Sequence, residues 1–132
     1  MAPSPPLPGG ELEYSVLAAL WQLGSASARE IHRIAGRSGN LAYTTTATVL
    51  DRLHAKGLVA RAKHGRAFVY QPCQTRETVE RARARTTLRH LFGREPRPAI
   101  AMLVDAVESI DPVLLDELAR AVQARRRVRR GS

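Results

Sequence analysis

The 132-residue sequence has a single cysteine, Cys73. No intrachain disulfide can form, and a reducing compartment is expected. No apolar run approaches the ~20 residues that a membrane span needs, so membrane insertion is not expected. The N-terminus, MAPSPPLPGG, has neither a basic n-region nor an apolar h-region. No secretory leader is expected, and the chain is assigned to the cytoplasm. The four histidines, His32, His54, His64 and His90, show no metal-ligand spacing, and Cys73 has no histidine near it in sequence. No glycine-rich phosphate loop precedes a helix. No catalytic residue, metal or cofactor is therefore expected, and the chain is not read as an enzyme.

What is abundant is arginine. Of the 21 basic residues 19 are Arg, and the formal net charge is +9. An anionic partner is implied, either nucleic acid or a membrane surface. Residues 1–72 carry eight basic and four acidic side chains, a net of +4. Residues 73–124 are balanced at eight against eight, and the five excess charges beyond them belong to the run Arg125-Arg126-Arg127-Val128-Arg129-Arg130. The N-terminal half is thus basic without help from the tail.

Residues 1–9, proline-rich, read as a flexible lead-in. Leu12, Val16, Leu20 and Leu23 then fall on one helical stripe, widened by Leu17 and Trp21, which predicts a helix over 10–23 ended by Gly24. Ser27 and Glu30 have capping-box spacing and predict a short second helix over 28–35, with Gly36 and Gly39 bracketing a turn. A third helix is predicted over 43–56. It buries Thr46, Val49, Leu50 and Leu53 and exposes Thr44, Thr48, Asp51, Arg52 and Ala55, with Thr45 and Ala47 flanking. Threonine costs roughly a few tenths of a kcal/mol against Ala in a helix, and four stand between residues 44 and 48. Thr offers a hydroxyl and a methyl to base edges but has no unique base code. A cluster with no partner is the competing reading.

After Gly57 comes LVARAK-HG-RAFVY. His64-Gly65 fits a two-residue hairpin loop, which would set Arg61 opposite Phe68 and Lys63 opposite Arg66. Opposed like charges are unfavourable alone and would be relieved by a polyanion. A hairpin that is basic only for solubility is the alternative. Pro72 ends the strand. Helices are then predicted over 76–92, 99–109 and 112–123, the last begun by Asp111-Pro112. Three such helices bury little alone, and two interleaved copies would remedy that.

The expected fold is mainly α with a small β-hairpin. A winged helix-turn-helix over 10–72 is followed by a three-helix dimerisation module over 73–124 and an Arg-rich tail over 125–132. The tail is either a nonspecific DNA-binding arm or a solvated end. The function read from these elements is sequence-specific binding of duplex DNA by a homodimer. The alternatives are a small basic ribonuclease and a winged-helix module for RNA or protein.

Several strings carry a resemblance: E-L-E-x-x-V-L-x-x-L-W at 11–21, R-E-I-H at 29–32, L-A-Y-T-T at 41–45, T-V-L-D-R-L-x-x-K-G-L-V at 48–59 and G-R-A-F-V-Y-x-P at 65–72. Together they resemble the penicillinase-repressor (BlaI/MecI/CopY) family, closely over 11–72 and in layout over 73–124. The resemblance implies a homodimeric winged-helix transcriptional repressor on pseudo-palindromic operators, of the kind that controls antibiotic-resistance or related stress genes. It implies Ala42, Thr44, Thr45, Ala47 and Thr48 near base edges with Tyr43 beside them. It also implies Arg52 on a phosphate, and Lys63, His64 and Arg66 on the wing. Some members have a long basic residue where Ala47 stands, so operator preference is expected to differ at that base pair. The resemblance further implies a membrane sensor metalloprotease as partner, cutting in the fifth helix near Met102-Leu103, although the usual polar residue before that bond is missing. Copper-responsive members carry a C-terminal Cys-x-Cys pair, which this chain lacks.

Overall fold

The computed structural model describes residues 6–131. In chain order it has α1 (Glu11–Leu23), β1 (Ala26–Ser27), α2 (Ala28–Gly39), α3 (Tyr43–Ala55), β2 (Val59–His64), β3 (Ala67–Pro72), α4 (Arg76–Phe92), α5 (Pro96–Ile110) and α6 (Pro112–Gly131). The helices and strands divide between two compact units that meet after Arg85, within α4.

In the first unit, α1 buries Val16, Leu17, Ala19 and Leu20, while Leu23 at the end of the expected stripe is exposed. They pack on Ile31 of α2 and on Val49, Leu50 and Leu53 of α3 in one cluster. Of the expected lead-in, residues 1–5 lie outside the described part of the chain. Leu7 packs against the core, and the Gly9 amide donates to Glu13 Oε1 at 3.1 Å.

The capping box forms as the spacing predicts. The Glu30 amide donates to Ser27 Oγ at 3.3 Å and the Ser27 amide to Glu30 Oε1 at 3.0 Å. The helix it starts is longer than expected, because Gly36 and Gly39 lie inside α2 rather than in a turn. A Cβ on Gly36 would stand 2.7 Å from His32 Cε1, so this glycine makes room for a ring. The helix stops one residue later, where Asn40 takes left-handed backbone at φ 50°. Asn reaches that region more easily than most residues.

A sheet ordered β1-β3-β2 replaces the simple hairpin. The two-residue β1 pairs Ala26 with Tyr70 and Ser27 with Val69. It is too short to leave an alternation in the sequence. The hairpin register also differs from the expectation: Arg61 lies opposite Tyr70, Lys63 opposite Phe68 and His64 opposite Ala67. The loop is therefore Gly65-Arg66. Gly65 is at φ 64° while Arg66 is not left-handed, the arrangement of turns with Gly first. Only glycine fits that first position without strain, which moves the loop one residue from His64-Gly65. Lys63 no longer opposes Arg66, and the argument from repulsion across the strands falls.

The start of α4 belongs to this unit. The Thr78 amide donates to Thr75 Oγ1 at 3.1 Å, capping it, and Val79 and Ala82 are buried. Trp21 Nε1 donates to the Gln74 carbonyl at 3.0 Å. The Tyr14 hydroxyl donates to Glu80, and the Arg83 guanidinium lies 4.0 Å from the Tyr14 ring centroid.

In the second unit, α5 begins three residues before the expected Ala99. Pro96 and Pro98 sit in its first turn, where a missing N–H breaks no helical bond. Asp111 caps α6 as expected, accepting from the Val113 amide at 3.0 Å. The helix runs past Gln123 to Gly131, through the Arg-rich segment. Arg is a good helix former and cations suit a helix C-terminus, so nothing in that segment stops it. No residue of α6 is buried, and Ile100, Met102, Ile110, Val113, Leu114 and Val122 are all exposed large apolar side chains.

Candidate nucleic-acid interface

Helix α3 separates its two faces as its sequence predicts. Thr46, Val49, Leu50 and Leu53 are buried, while Thr44, Thr48, Asp51, Arg52 and Ala55 are exposed and Thr45 and Ala47 half-buried. Ala42 is its N-cap, with extended backbone and no side-chain cap bond. The first amides of the helix are thus not consumed by a capping side chain. Thr48 Oγ1 donates to the Thr44 carbonyl at 2.9 Å. Its hydroxyl hydrogen is committed to the backbone, and outward it offers a methyl and oxygen lone pairs.

The wing stands beside this face. Arg61, Lys63, Phe68 and Tyr70 share one side of the β2–β3 ribbon by their register. The Arg61 guanidinium lies 4.3 Å and the Lys63 ammonium 5.9 Å from the Phe68 ring centroid. Arg61 Nη1 also bonds Asp51 Oδ1 of α3 at 2.9 Å, so one ion pair fixes wing to helix. Hydrogen bonding to Tyr70 first, and to Asp51 after it, raises the Arg61 pKa further and keeps it charged. His64 ends β2 and Arg66 sits in the loop, both exposed.

A cleft of about 420 Å³ opens between α3 and the wing. Tyr43, Ala47 and Asp51 form its α3 wall, Arg66, Phe68 and Tyr70 its wing wall, and Ser27 to Arg29 the α2 end. The small Ala47 keeps that wall low. The structure thus brings Tyr43, Ala47 and Arg66 to one cleft, with Thr44, Thr48 and Arg52 exposed on the same helix as its α3 wall and Lys63 and His64 exposed on the wing. Met102 and Leu103 belong to α5 in the other unit, Met102 exposed and Leu103 half-buried.

Two contributors were not read from the sequence. The Arg29 guanidinium lies 5.7 Å from the Tyr43 ring centroid, placing an exposed cation at the cleft's α2 end. Phe68 holds the wing cations in place. The period-two alternation through Phe68 was the one available signal for it. Nothing local marks Arg29, whose stacking partner is fourteen residues away. His32 also takes part, but inward: its Nδ1 shares a 2.8 Å hydrogen bond with Thr46 Oγ1 and its ring meets Tyr43 edge-on at 5.6 Å. Among the described residues, no three His, Cys, Asp or Glu are grouped to hold a metal ion, and no helix is long and apolar enough to cross a membrane.

Three helices, a three-stranded sheet and a basic hairpin beside the last helix define a winged helix. Residues 9–124 match the model of the penicillinase repressor family, and the chain belongs to that family. The transcriptional regulator BlaI of Mycobacterium tuberculosis is 37% identical over 71 residues, covering 53% of this chain and 51% of that protein. The chain spans about half the length of the curated relatives it first matches. A 16.5 kDa protein of Latilactobacillus sakei is 27% identical over 115 residues, which are 85% of this chain and 78% of that one. The solution structure of the DNA-binding domain of the repressor BlaI superposes with TM-score 0.50 at 27% identity, covering 59% of this chain and 93% of that domain.

Proposed function

We propose that this protein is a DNA-binding transcriptional repressor that holds pseudo-palindromic operators as a homodimer in the cytoplasm. The observation that carries the reading is the exposed, low-profile face of α3 set beside a cationic wing and tied to it by Asp51–Arg61. A helix with small outward residues can approach the floor of the major groove while the wing cations meet phosphates. Family membership and the likeness to a repressor's DNA-binding domain support it.

In this reading Ala42, Thr44, Thr45, Ala47 and Thr48 approach base edges and Tyr43 lies at the groove wall. Arg52, Lys63, His64 and Arg66 hold phosphates. The second unit supplies the pairing surface, since α5 and α6 expose Ile100, Met102, Ile110, Leu114 and Val122. A single helix in one groove gives limited specificity, and two-fold symmetry doubles the site. Genes of the β-lactam response are the proposed targets. Release follows cleavage near Met102-Leu103 by a membrane sensor metalloprotease. That bond lies within α5, so cleavage requires local unwinding.

The test is a gel-shift titration with a duplex from upstream of the protein's own gene, next to a scrambled duplex of equal length. Two chains per duplex, steep salt dependence and tighter binding to the upstream sequence are expected. Equal affinity for both duplexes removes the repressor reading.

A further inference from the structure

The apolar stripe of α6 runs through Leu115, Leu118 and Val122 at alternating steps of three and four. The same steps continue to Arg125 and Arg129 without a break in the helix. One face of a single helix thus changes from apolar to cationic after Val122. If two copies paired in parallel along this stripe, its extension would set Arg against Arg. Such a seam would end at Val122, and the cationic turns beyond it would lie outside it.

We infer that residues 125–130 form a helical arm that binds the sugar-phosphate backbone of duplex DNA without reading sequence. Five Arg fall on about 9 Å of helix at a rise of 1.5 Å per residue. That is about one charge per 1.8 Å, close to the one per ~1.7 Å of duplex DNA. The last acidic residue before the arm is Glu117, more than two turns away, and Asp116 stands in i,i+4 position to Arg120. Among the described residues, Arg125, Arg126, Arg127 and Arg130 form no salt bridge. Arg125–Arg129 and Arg126–Arg130 are like-charged pairs at i,i+4, which weaken an isolated helix. A polyanion removes that repulsion, and guanidinium forks suit phosphate oxygens.

A membrane surface fits less well. Between Gln123 and Gly131 the one large apolar side chain is Val128, so the segment has no apolar face to sink below headgroups. The arm deepens the repressor reading and adds affinity to it, not specificity.

The test uses the full chain and a variant with Arg125, Arg126, Arg127, Arg129 and Arg130 all changed to Gln. Gln keeps helix propensity and removes charge. Binding to operator and to scrambled duplex is followed by fluorescence anisotropy across a salt series. The slope of log K against log salt is expected to fall by about 3 or more per chain, since each phosphate neutralised contributes about 0.9. Affinity for both duplexes should fall by the same factor, about tenfold or more near 0.1 M salt, and the five Arg→Lys changes should restore it. A slope change below about 1 overturns the arm. So does loss of binding to phosphatidylglycerol vesicles with an unchanged DNA slope. If operator preference persists while the slope is unmoved, the arm fails and the repressor reading stands. If neither protein prefers the operator, the repressor reading fails, and the arm is judged on the slope alone.

Discussion

His32 Nδ1 and Thr46 Oγ1 share a hydrogen bond of 2.8 Å that joins α2 to the buried side of α3. Thr46 is the one buried polar residue of the core, at 0% exposure among the described residues. Its hydroxyl needs a partner, because a buried polar group left unpaired costs about 1–3 kcal/mol. Removing the ring by His32→Ala is expected to lower stability by about 1–2 kcal/mol, whereas Thr46→Val, which removes the hydroxyl instead, costs less. Urea unfolding of both variants checks the order.

Gly36 is coupled to the same bond. A Cβ there would stand 2.7 Å from His32 Cε1 and 3.0 Å from its Nδ1. The ring can swing away only by giving up Thr46. Ala in a helix interior gains about 1 kcal/mol over Gly, and the lost hydrogen bond takes back about as much. Gly36→Ala is therefore expected to be near neutral or slightly destabilising in the natural chain. In a His32→Ala background it should stabilise by about 1 kcal/mol. Equal effects in both backgrounds would mean that the ring does not need this space.

Asp51 places a negative charge on a face proposed to meet phosphates, and its bond to Arg61 holds the wing against α3. Asp51→Ala removes repulsion and frees a guanidinium. Affinity for a scrambled duplex is expected to rise severalfold. The preference for the operator should shrink, because the wing loses its anchor. A preserved preference at higher affinity would show that the ion pair does not orient the wing.

Arg52 and Thr48 lie on the same exposed face and are assigned different work. Arg52→Ala should weaken operator and scrambled duplex alike. Thr48→Ser keeps the bond to the Thr44 carbonyl but removes the outward methyl. Discrimination is expected to fall by about 1 kcal/mol, while Thr48→Val, which keeps the methyl, retains most of it. The reverse pattern in competition binding would mean that the oxygen, not the methyl, faces the base.

The helices and the burial of α3 were legible because each rests on local chemistry: the Ser27–Glu30 box, the spacing of Thr46, Val49, Leu50 and Leu53, and the Asp111-Pro112 start. What the sequence hid depends on distant partners. Gly36 looks like a stop until His32 is known to fill its space. The pair Ala26–Ser27 becomes a strand only because Tyr70 and Val69 offer an edge. The Gly65-Arg66 loop could not be chosen over His64-Gly65 without the register. The residues of the interface face could be named from α3, but Arg29 reaches them only through the packing of α2 on α3.

Glu13 and Lys56 form the last test, which concerns how α1 holds the end of α3. Lys56 Nζ lies 2.6 Å from Glu13 Oε1, and the Glu13 side chain is only 12% exposed. The hydrogen bond from Lys56, aided by the Gly9 amide, holds the Glu13 carboxyl below its ordinary 4.5 despite burial acting the other way. In the unfolded chain that pKa returns to the ordinary value, so between the two values the unfolded state binds more protons. The contribution is therefore complete above about 4.5 and drains away as pH falls through the folded value. Because Lys56 is more than a third exposed, solvent screening limits the pair to about 1 kcal/mol. Glu13→Gln should cost about that much near neutral pH and clearly less at an acid pH below the folded value. Urea midpoints at the two pH values measure it, and a difference that persists in acid would assign the cost to packing, not to charge.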